Sequence, residues 1–368
     1  MIWAKEETLS RAEIEALQLA RLQETVCRVY EKVQPYREKM DAAGVKPDDI
    51  RTLSDLKRLP FVTKQDMRDN YPFGLFAVPK DELVRIHASS GTTGKPTVVG
   101  YTKRDLDVWT ETVSRIAALG GATRQDVAQI CFGYGMFTGA LGLHYGLEKI
   151  GAAMVPSSTG NTEKQIMYMK DFGTTLLVAT PSYALRIAEV AMQMGIDPKT
   201  GLNVKIGLLG SELLTEAMRT EMHKLWGDEM LVTSNYGMSE LNGPGVSGEC
   251  EYLCGMHINE DFFIPEIIDP KTGEVLPPGE KGELVISFSN AEGGLEIKGE
   301  RLNAMRVFCA EKEPEFSARV EGNRLILAGD FPEGIPIRLA FAQDKWFQVN
   351  LYNKAQLPAL PFEIQLEK

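Results

Sequence analysis

The sequence predicts a layered α/β protein whose main sheet is largely parallel, followed by a small C-terminal β unit. Three observations predict it. From about residue 84, short apolar runs alternate with amphipathic stretches, the pattern of strands joined by helices. A glycine- and hydroxyl-rich string follows the first of those runs. After about Phe288 the helical texture gives way to short strand-like runs.

The elements follow in chain order. Residues 10–34 read as a helix: Ser10 caps with Glu13 three residues on, and Leu19, Leu22, Val26, Val29 and Val33 recur at steps of three and four. Pro35 is expected to end it. A loop region rich in Pro, Lys and Asp runs to Val78-Pro79. Leu83–Ile86, Ala128–Phe132, Ala152–Val155, Thr175–Ala179 and Val204–Leu209 read as strands. Tyr183–Met194 and Thr215–Leu225 read as helices following the last two. In such a sheet, ligands collect in the loops at the carboxyl ends of the strands. Farther on, Arg319–Leu327 reads as two short strands around a Gly-Asn turn, and Ile337–Phe341 as another. The expected divisions are an N-terminal helical and loop region over 1–83, an α/β core over 84–288 and a β-rich segment over 289–368.

With 43% hydrophobic and 25% charged residues, the composition is that of a soluble globular protein. The formal net charge of −11 argues against general nucleic-acid binding and against an anionic membrane surface. No apolar run reaches the length of a membrane span, and the N-terminus turns charged at once, so a cytoplasmic protein is expected. The odd count of five cysteines points to thiols or a metal site, not a disulfide framework.

Ser89-Ser90-Gly91-Thr92-Thr93-Gly94-Lys95 is the most informative string. Its glycines let the backbone turn sharply and present N–H groups, its hydroxyls add donors, and Lys95 adds positive charge; together these suit a polyphosphate. It is not a Walker A loop, because Ser89 stands where that motif needs glycine and Pro96 where it needs Ser or Thr. An ordinary polar turn would be the better reading of a lone Gly-Lys pair.

The string is similar to the phosphate loop of the adenylate-forming acyl- and aryl-CoA ligases. Leu59–Asp66, Asn70–Phe76 and Gly133–Gly139 narrow the resemblance to phenylacetate-CoA ligases, over roughly the first 287 residues. The fold it implies is the N-terminal core of such a ligase. The reaction it implies joins an aryl carboxylic acid such as phenylacetate to ATP as an acyl-adenylate, then to coenzyme A as a thioester, with Mg²⁺ as cofactor. The resemblance also allows a homodimer. Phosphate-loop residues Ser89, Ser90, Gly91, Thr92, Thr93, Gly94 and Lys95 would bind nucleotide, with Lys95 catalytic. So would Gly210, Ser211 and Glu212, and the segment Tyr236, Gly237, Met238, Ser239 and Glu240. Tyr236 would lie against adenine or the acyl-phosphate, Ser239 would touch phosphate, and Glu240 would be catalytic as the Mg²⁺ ligand. Hard oxygen ligation of magnesium agrees with the last role. Tyr134, Met136, Phe137 and Gly139, with Pro181 and Tyr183, would line an aryl slot; core packing is the competing reading of Met136 and Phe137.

Cys250, Cys254 and His257 form a candidate zinc set, with two free thiols and a loop histidine as the alternative. The ligases' Glu-Asp-His-Phe run is here Glu260-Asp261-Phe262-Phe263. After Gly279–Val285 the ligases continue through an Arg-Tyr-Arg-Thr-x-Asp string whose aspartate binds ribose, then a hinge and lid. The sequence shows none of these, so a truncated, impaired ligase is expected, with a non-catalytic nucleotide or acyl-group binder as the alternative. From about Ser289, the strings Asn290–Gly299 and Asn350–Phe362 resemble the C-terminal β segment of sialate O-acetylesterases. That family's nucleophile in its Gly-Gln-Ser setting is missing, so no hydrolase chemistry is expected.

Overall fold

The computed structural model describes residues 2–89 and 96–266 in full, and the backbone of seven strands between residues 295 and 366. The chain divides into two compact units, Met1–Pro265 and Glu266–Lys368.

The first unit opens with helices α1 (Arg11–Lys32), α2 (Gln34–Ala42) and α3 (Lys64–Asp69). The expected capping box is present: the Ser10 side chain accepts from the Glu13 backbone N–H while Glu13 reaches back to Ser10. The reading of Pro35 needs correction. The first helix stops at Lys32, and Pro35 sits in the first turn of α2, where its missing N–H is no loss. Val26, Met40, Val45 and Ile50 form the small core of this region.

Strands β1 (Arg85–Ala88) and β2 (Val98–Tyr101) form an antiparallel hairpin of their own. Helix α4 (Lys103–Leu119) follows, and then the alternating core: β3 (Val127–Ile130), α5 (Thr138–Ile150), β4 (Ala153–Val155), α6 (Thr162–Phe172), β5 (Leu176–Ala179), α7 (Pro181–Gln193), α8 (Pro198–Gly201), β6 (Ile206–Leu209), α9 (Glu216–Trp226), β7 (Leu231–Met238), β8 (Gly243–Glu249) and β9 (Met256–Ile258). The sheet order is β4-β3-β5-β6-β7-β8-β9. The first five strands are parallel, and β8 and β9 add on antiparallel.

Helices cover both faces, which is why the central strands are apolar throughout instead of alternating. On β5, Leu176 and Val178 join a core with Trp109, Val113, Ile130, Leu143 and Leu147; Leu177 and Ala179 join the opposite core with Ile187, Met222 and Trp226. Two glycines set the fit of α5 on α4. A Cβ at Gly142 would lie 2.5 Å from the Trp109 ring, and one at Gly146 2.4 Å from Val113 Cγ1.

The hairpin packs on α4 through aromatic rings. Tyr101 stacks on Trp109 at 4.9 Å, and His87 meets both rings edge-on at 5.6 and 5.7 Å. His87 is 1% exposed. Burial pushes its pKa down from the usual 6.5, only partly opposed by its hydrogen bond to the Met136 carbonyl.

In the second unit, β10 (Leu295–Ile297) pairs with β15 (Leu351–Asn353), and β11 (Met305–Cys309), β14 (Ile337–Phe341) and β16 (Phe362–Leu366) form a three-stranded sheet. Strands β12 (Phe316–Glu321) and β13 (Arg324–Gly329) pair as the hairpin expected around Gly322-Asn323.

Gly146→Ala tests the helix contact. Alanine would favour an isolated helix by about 1 kcal/mol. Here the collision with Val113 should outweigh that, giving a net loss of about 1–3 kcal/mol in chemical denaturation. A second expectation concerns pH. The folded pKa of His87 lies below its unfolded value, so below about pH 6.5 the unfolded chain binds a proton that the folded chain refuses. Stability should therefore fall as pH drops from 6.5, above the range in which carboxylates titrate, and His87→Asn should flatten that slope in thermal melts recorded across pH.

Candidate nucleotide and acyl site

The candidate residues that can be placed lie at or beside the carboxyl ends of the parallel strands. The segment after β3 carries Tyr134, Met136 and Phe137 and leads into α5, whose second residue is Gly139. After β5, Thr180 caps α7 by accepting from the Tyr183 backbone N–H, with Pro181 at the first helical position. After β6 come Gly210, Ser211 and Glu212; after β7 comes the turn Ser239–Leu241.

Side chains lock these ends together. Asn235 Nδ2 donates to the Leu209 carbonyl at 2.7 Å, and a Cβ on Gly210 would lie 3.0 Å from that same amide. The next residue, Ser211, takes a left-handed φ of 68°. The Ser182 backbone N–H donates to Glu212 Oε2 at 3.2 Å, tying the β6 end to the β5 end. At the end of β7 the pairing with β8 shifts between Tyr236 and Gly237. A Cβ on Gly237 would stand 2.0 Å from the Gly243 carbonyl oxygen, so the position requires glycine. Such an irregularity re-aims the neighbouring side chain, and Tyr236 stands 47% exposed. Glu240, half-buried, makes no ion pair among the described residues. Glycine backbone flanking an exposed aromatic ring, with an unpaired carboxylate beside it, fits a nucleotide and a hard cation.

Ser90, Gly91, Thr92, Thr93, Gly94 and Lys95 lie outside the described residues. The neck of that loop is described. The Ser89 N–H donates to the Thr97 carbonyl at 2.9 Å, and the Thr97 N–H donates to Ser89 Oγ at 2.9 Å. One residue back, the Ala88 N–H and His87 Nδ1 both reach the Met136 carbonyl, at 2.9 and 3.0 Å. The neck at Ser89 and Thr97 is therefore fastened to the segment that carries Tyr134, Met136 and Phe137.

Met136 is 55% exposed and Phe137 39% exposed, so neither is core packing. The Phe137 ring lies where a side chain at 139 would be: a Cβ on Gly139 would sit 2.4 Å from it. Tyr134 is half-buried, with its hydroxyl 2.9 Å from His144 Nδ1. Burial raises its pKa well above the ordinary tyrosine value. Tyr183 hydrogen-bonds Thr162 and the Gly160 carbonyl at 3.3 and 3.4 Å.

Two of the three candidate zinc ligands meet. His257 Nε2 lies 3.3 Å from Cys250 Sγ, but Cys254 sits exposed in the turn that follows Cys250 and does not join them. Among the described residues no three such ligands gather.

A cavity of about 1130 Å³ is lined by α1, the 67–83 stretch, β2 and the start of α4, and reaches the candidate residues at Thr97, Ser239 and Glu240. Sequence reasoning did not single out His87, Arg85, Asn235 or Trp109. The signal available for the first two was their alternation on the strand that enters the phosphate loop.

Comparison with known proteins follows the same outline. The AMP-binding enzyme family matches residues 6–294. Phenylacetate-coenzyme A ligase of Aromatoleum evansii is 51% identical over 287 residues, 78% of this chain and 64% of that protein. The chain thus spans a little under two thirds of that relative's length. Phenylacetate-coenzyme A ligase of Pseudomonas putida is 39% identical over 373 residues, 98% of this chain and 84% of that one, an alignment that extends into the segment likened above to the esterases. Among solved structures, the open conformation of 2-hydroxyisobutyryl-CoA ligase in complex with 2-HIB-AMP and CoA superposes with a TM-score of 0.71 at 25% identity, covering 76% of this chain and 66% of that one. The chain belongs to the AMP-binding enzyme family, among its phenylacetate-coenzyme A ligases.

Proposed function

We propose that the chain activates a small aryl carboxylic acid such as phenylacetate with ATP, forming an acyl-adenylate and pyrophosphate, and that coenzyme A then takes the acyl group as a thioester. The observation that carries this reading is the gathering of the segments after β3, β5, β6 and β7 along one sheet edge, beside the neck of the phosphate loop. The cytoplasm is the compartment such chemistry suits. A homodimer and the division at residues 83 and 288 belong to the same reading.

The first step needs little covalent help from the protein. It needs the carboxylate held in line with the α-phosphate and the developing charge neutralised. Tyr236 offers its exposed ring to adenine. Gly210–Glu212 and Ser239 offer backbone and hydroxyl groups along the phosphates. Glu240 would hold Mg²⁺, whose charge would offset that of the phosphates. Lys95 would act on the same charge from the phosphate loop. Tyr134, Met136, Phe137 and Gly139 would form one wall of the aryl slot, with Pro181 and Tyr183 opposite. The C-terminal segment is read as a β unit with no catalytic group of its own.

Pyrophosphate release with Mg-ATP, with and without phenylacetate, tests the reaction. Acid-dependent release is expected, and Glu240→Gln should lower it about 10²-fold or more. ATP binding by calorimetry without acid-dependent release would favour a non-catalytic binder instead. Phe137→Ala should raise KM for the acid while leaving ATP affinity within about twofold, because it removes acyl-wall surface and no phosphate contact.

A further inference from the structure

The β1–β2 hairpin carries three polar atoms that its packing leaves unsatisfied. Arg85 and His87 lie two apart on β1, and Tyr101 stands opposite Arg85 on β2, so the three side chains share one face. His87 and Tyr101 are 1% and 2% exposed. Arg85 Nη1, His87 Nε2 and the Tyr101 hydroxyl are buried and have no hydrogen-bond partner among the described residues. Folded proteins leave few such atoms, because each forfeits its hydrogen bonds to water. Here they are the three side-chain atoms of this kind in the described chain, and all belong to one small hairpin.

Valence narrows what can satisfy them. A carbonyl oxygen only accepts, so His87 Nδ1, 3.0 Å from the Met136 carbonyl, carries the ring proton. Nε2 of the neutral ring is then an acceptor. Arg85 only donates, and the Tyr101 hydroxyl does both. An anion would face the bare Nε2 lone pair, and a cation would face the guanidinium. One donor, one acceptor and one group of both kinds is the complement of water.

We propose that an internal water molecule bridges Arg85, His87 and Tyr101, and that it makes His87 a positioning residue. Held at Nε2, the ring presents its Nδ1–H to Met136. A second branch leaves the same arginine. Arg85 Nη2 donates to the Tyr145 hydroxyl at 3.2 Å, Tyr145 meets His144 edge-on at 5.5 Å, and His144 Nδ1 lies 2.9 Å from the Tyr134 hydroxyl. Both branches end on the segment that carries Tyr134 and Met136. The hairpin that enters the phosphate loop is thereby kept in register with the acyl wall. That last consequence rests on the functional reading above; the water site does not.

The test is a crystal structure at a resolution that shows ordered water, together with Tyr101→Phe. A density peak within hydrogen-bonding distance of all three atoms is expected; side chains paired directly, or no peak, would overturn the proposal. Tyr101→Phe keeps the ring and removes the hydroxyl. If water bridges it, the melting temperature falls by about 2 °C or more. An unchanged or higher melting temperature shows the hydroxyl to be unpaired and sinks the idea. Nitrogen-15 spectra of the imidazoles, of which the chain has four, read the positioning role. His87 should show a protonated Nδ1 and an unprotonated Nε2 whose resonance moves in Tyr101→Phe. An Nε2 resonance that stays put would refute the role. Neither readout uses activity, so a chain that turned over no aryl acid would still decide the water site.

Discussion

Two hydrogen bonds onto one carbonyl oxygen, that of Met136, hold the front of the site together. The β1–β2 hairpin forms a two-stranded sheet separate from the seven-stranded one. It therefore has no ladder to set its place against the strand ends. Ala88 and His87 supply one fixed point at Met136, and the stack of Tyr101 on Trp109 supplies another. Trp109 is itself tied down, its Nε1 donating to the Pro244 carbonyl at 2.9 Å at the start of β8. The neck, the segment bearing Met136 and the strand that follows the Glu240 turn are thus linked through a few side chains.

The N-terminal layer is attached by charge. Arg115, on α4, donates to Asp261 Oδ1 at 2.8 Å, and both residues are almost fully buried. Arg21 from α1 reaches the same aspartate and lies over the Phe262 ring, and Arg11 grips Glu260 with two hydrogen bonds. A buried pair of this kind adds little net stability over an apolar one, but losing either partner strands a charge. Its effect here is to fix where α1 sits, and α1 forms one wall of the 1130 Å³ cavity that touches Ser239 and Glu240. The Phe262 ring has two guanidiniums over it, those of Arg21 and Arg115, 4.5 and 5.4 Å from its centroid.

The central strands were legible because burial on both faces leaves an unbroken apolar run, as in Thr175–Ala179. That the candidate residues would lie at the carboxyl ends of the strands followed from the alternation of strands and helices together with the resemblance. What escaped was set by tertiary contact. Gly243–Glu249 has the composition of a loop, yet it is β8. Its glycines let α4 lie close: a Cβ at Gly245 would come 2.6 Å from Thr112, and one at Gly248 3.0 Å from Ile116. Helix α5 carries three glycines that propensity counts against it, and two are spent on the contact with Trp109 and Val113. Pro35 was read as a terminator when it starts a new helix, since its ring suits a first turn as well as it breaks an interior one. Spacing named Cys250, Cys254 and His257, but only the turn between the cysteines decides which of them can meet.

A crystal structure of the chain soaked with ATP and phenylacetate would test the account most directly. It predicts the triphosphate between the Ser89–Thr97 neck and Ser239–Glu240, adenine against Tyr236, and the phenyl ring against Tyr134 and Phe137. Nucleotide seated instead in the cavity beside α1, with Tyr236 and the acyl segment untouched, would contradict it.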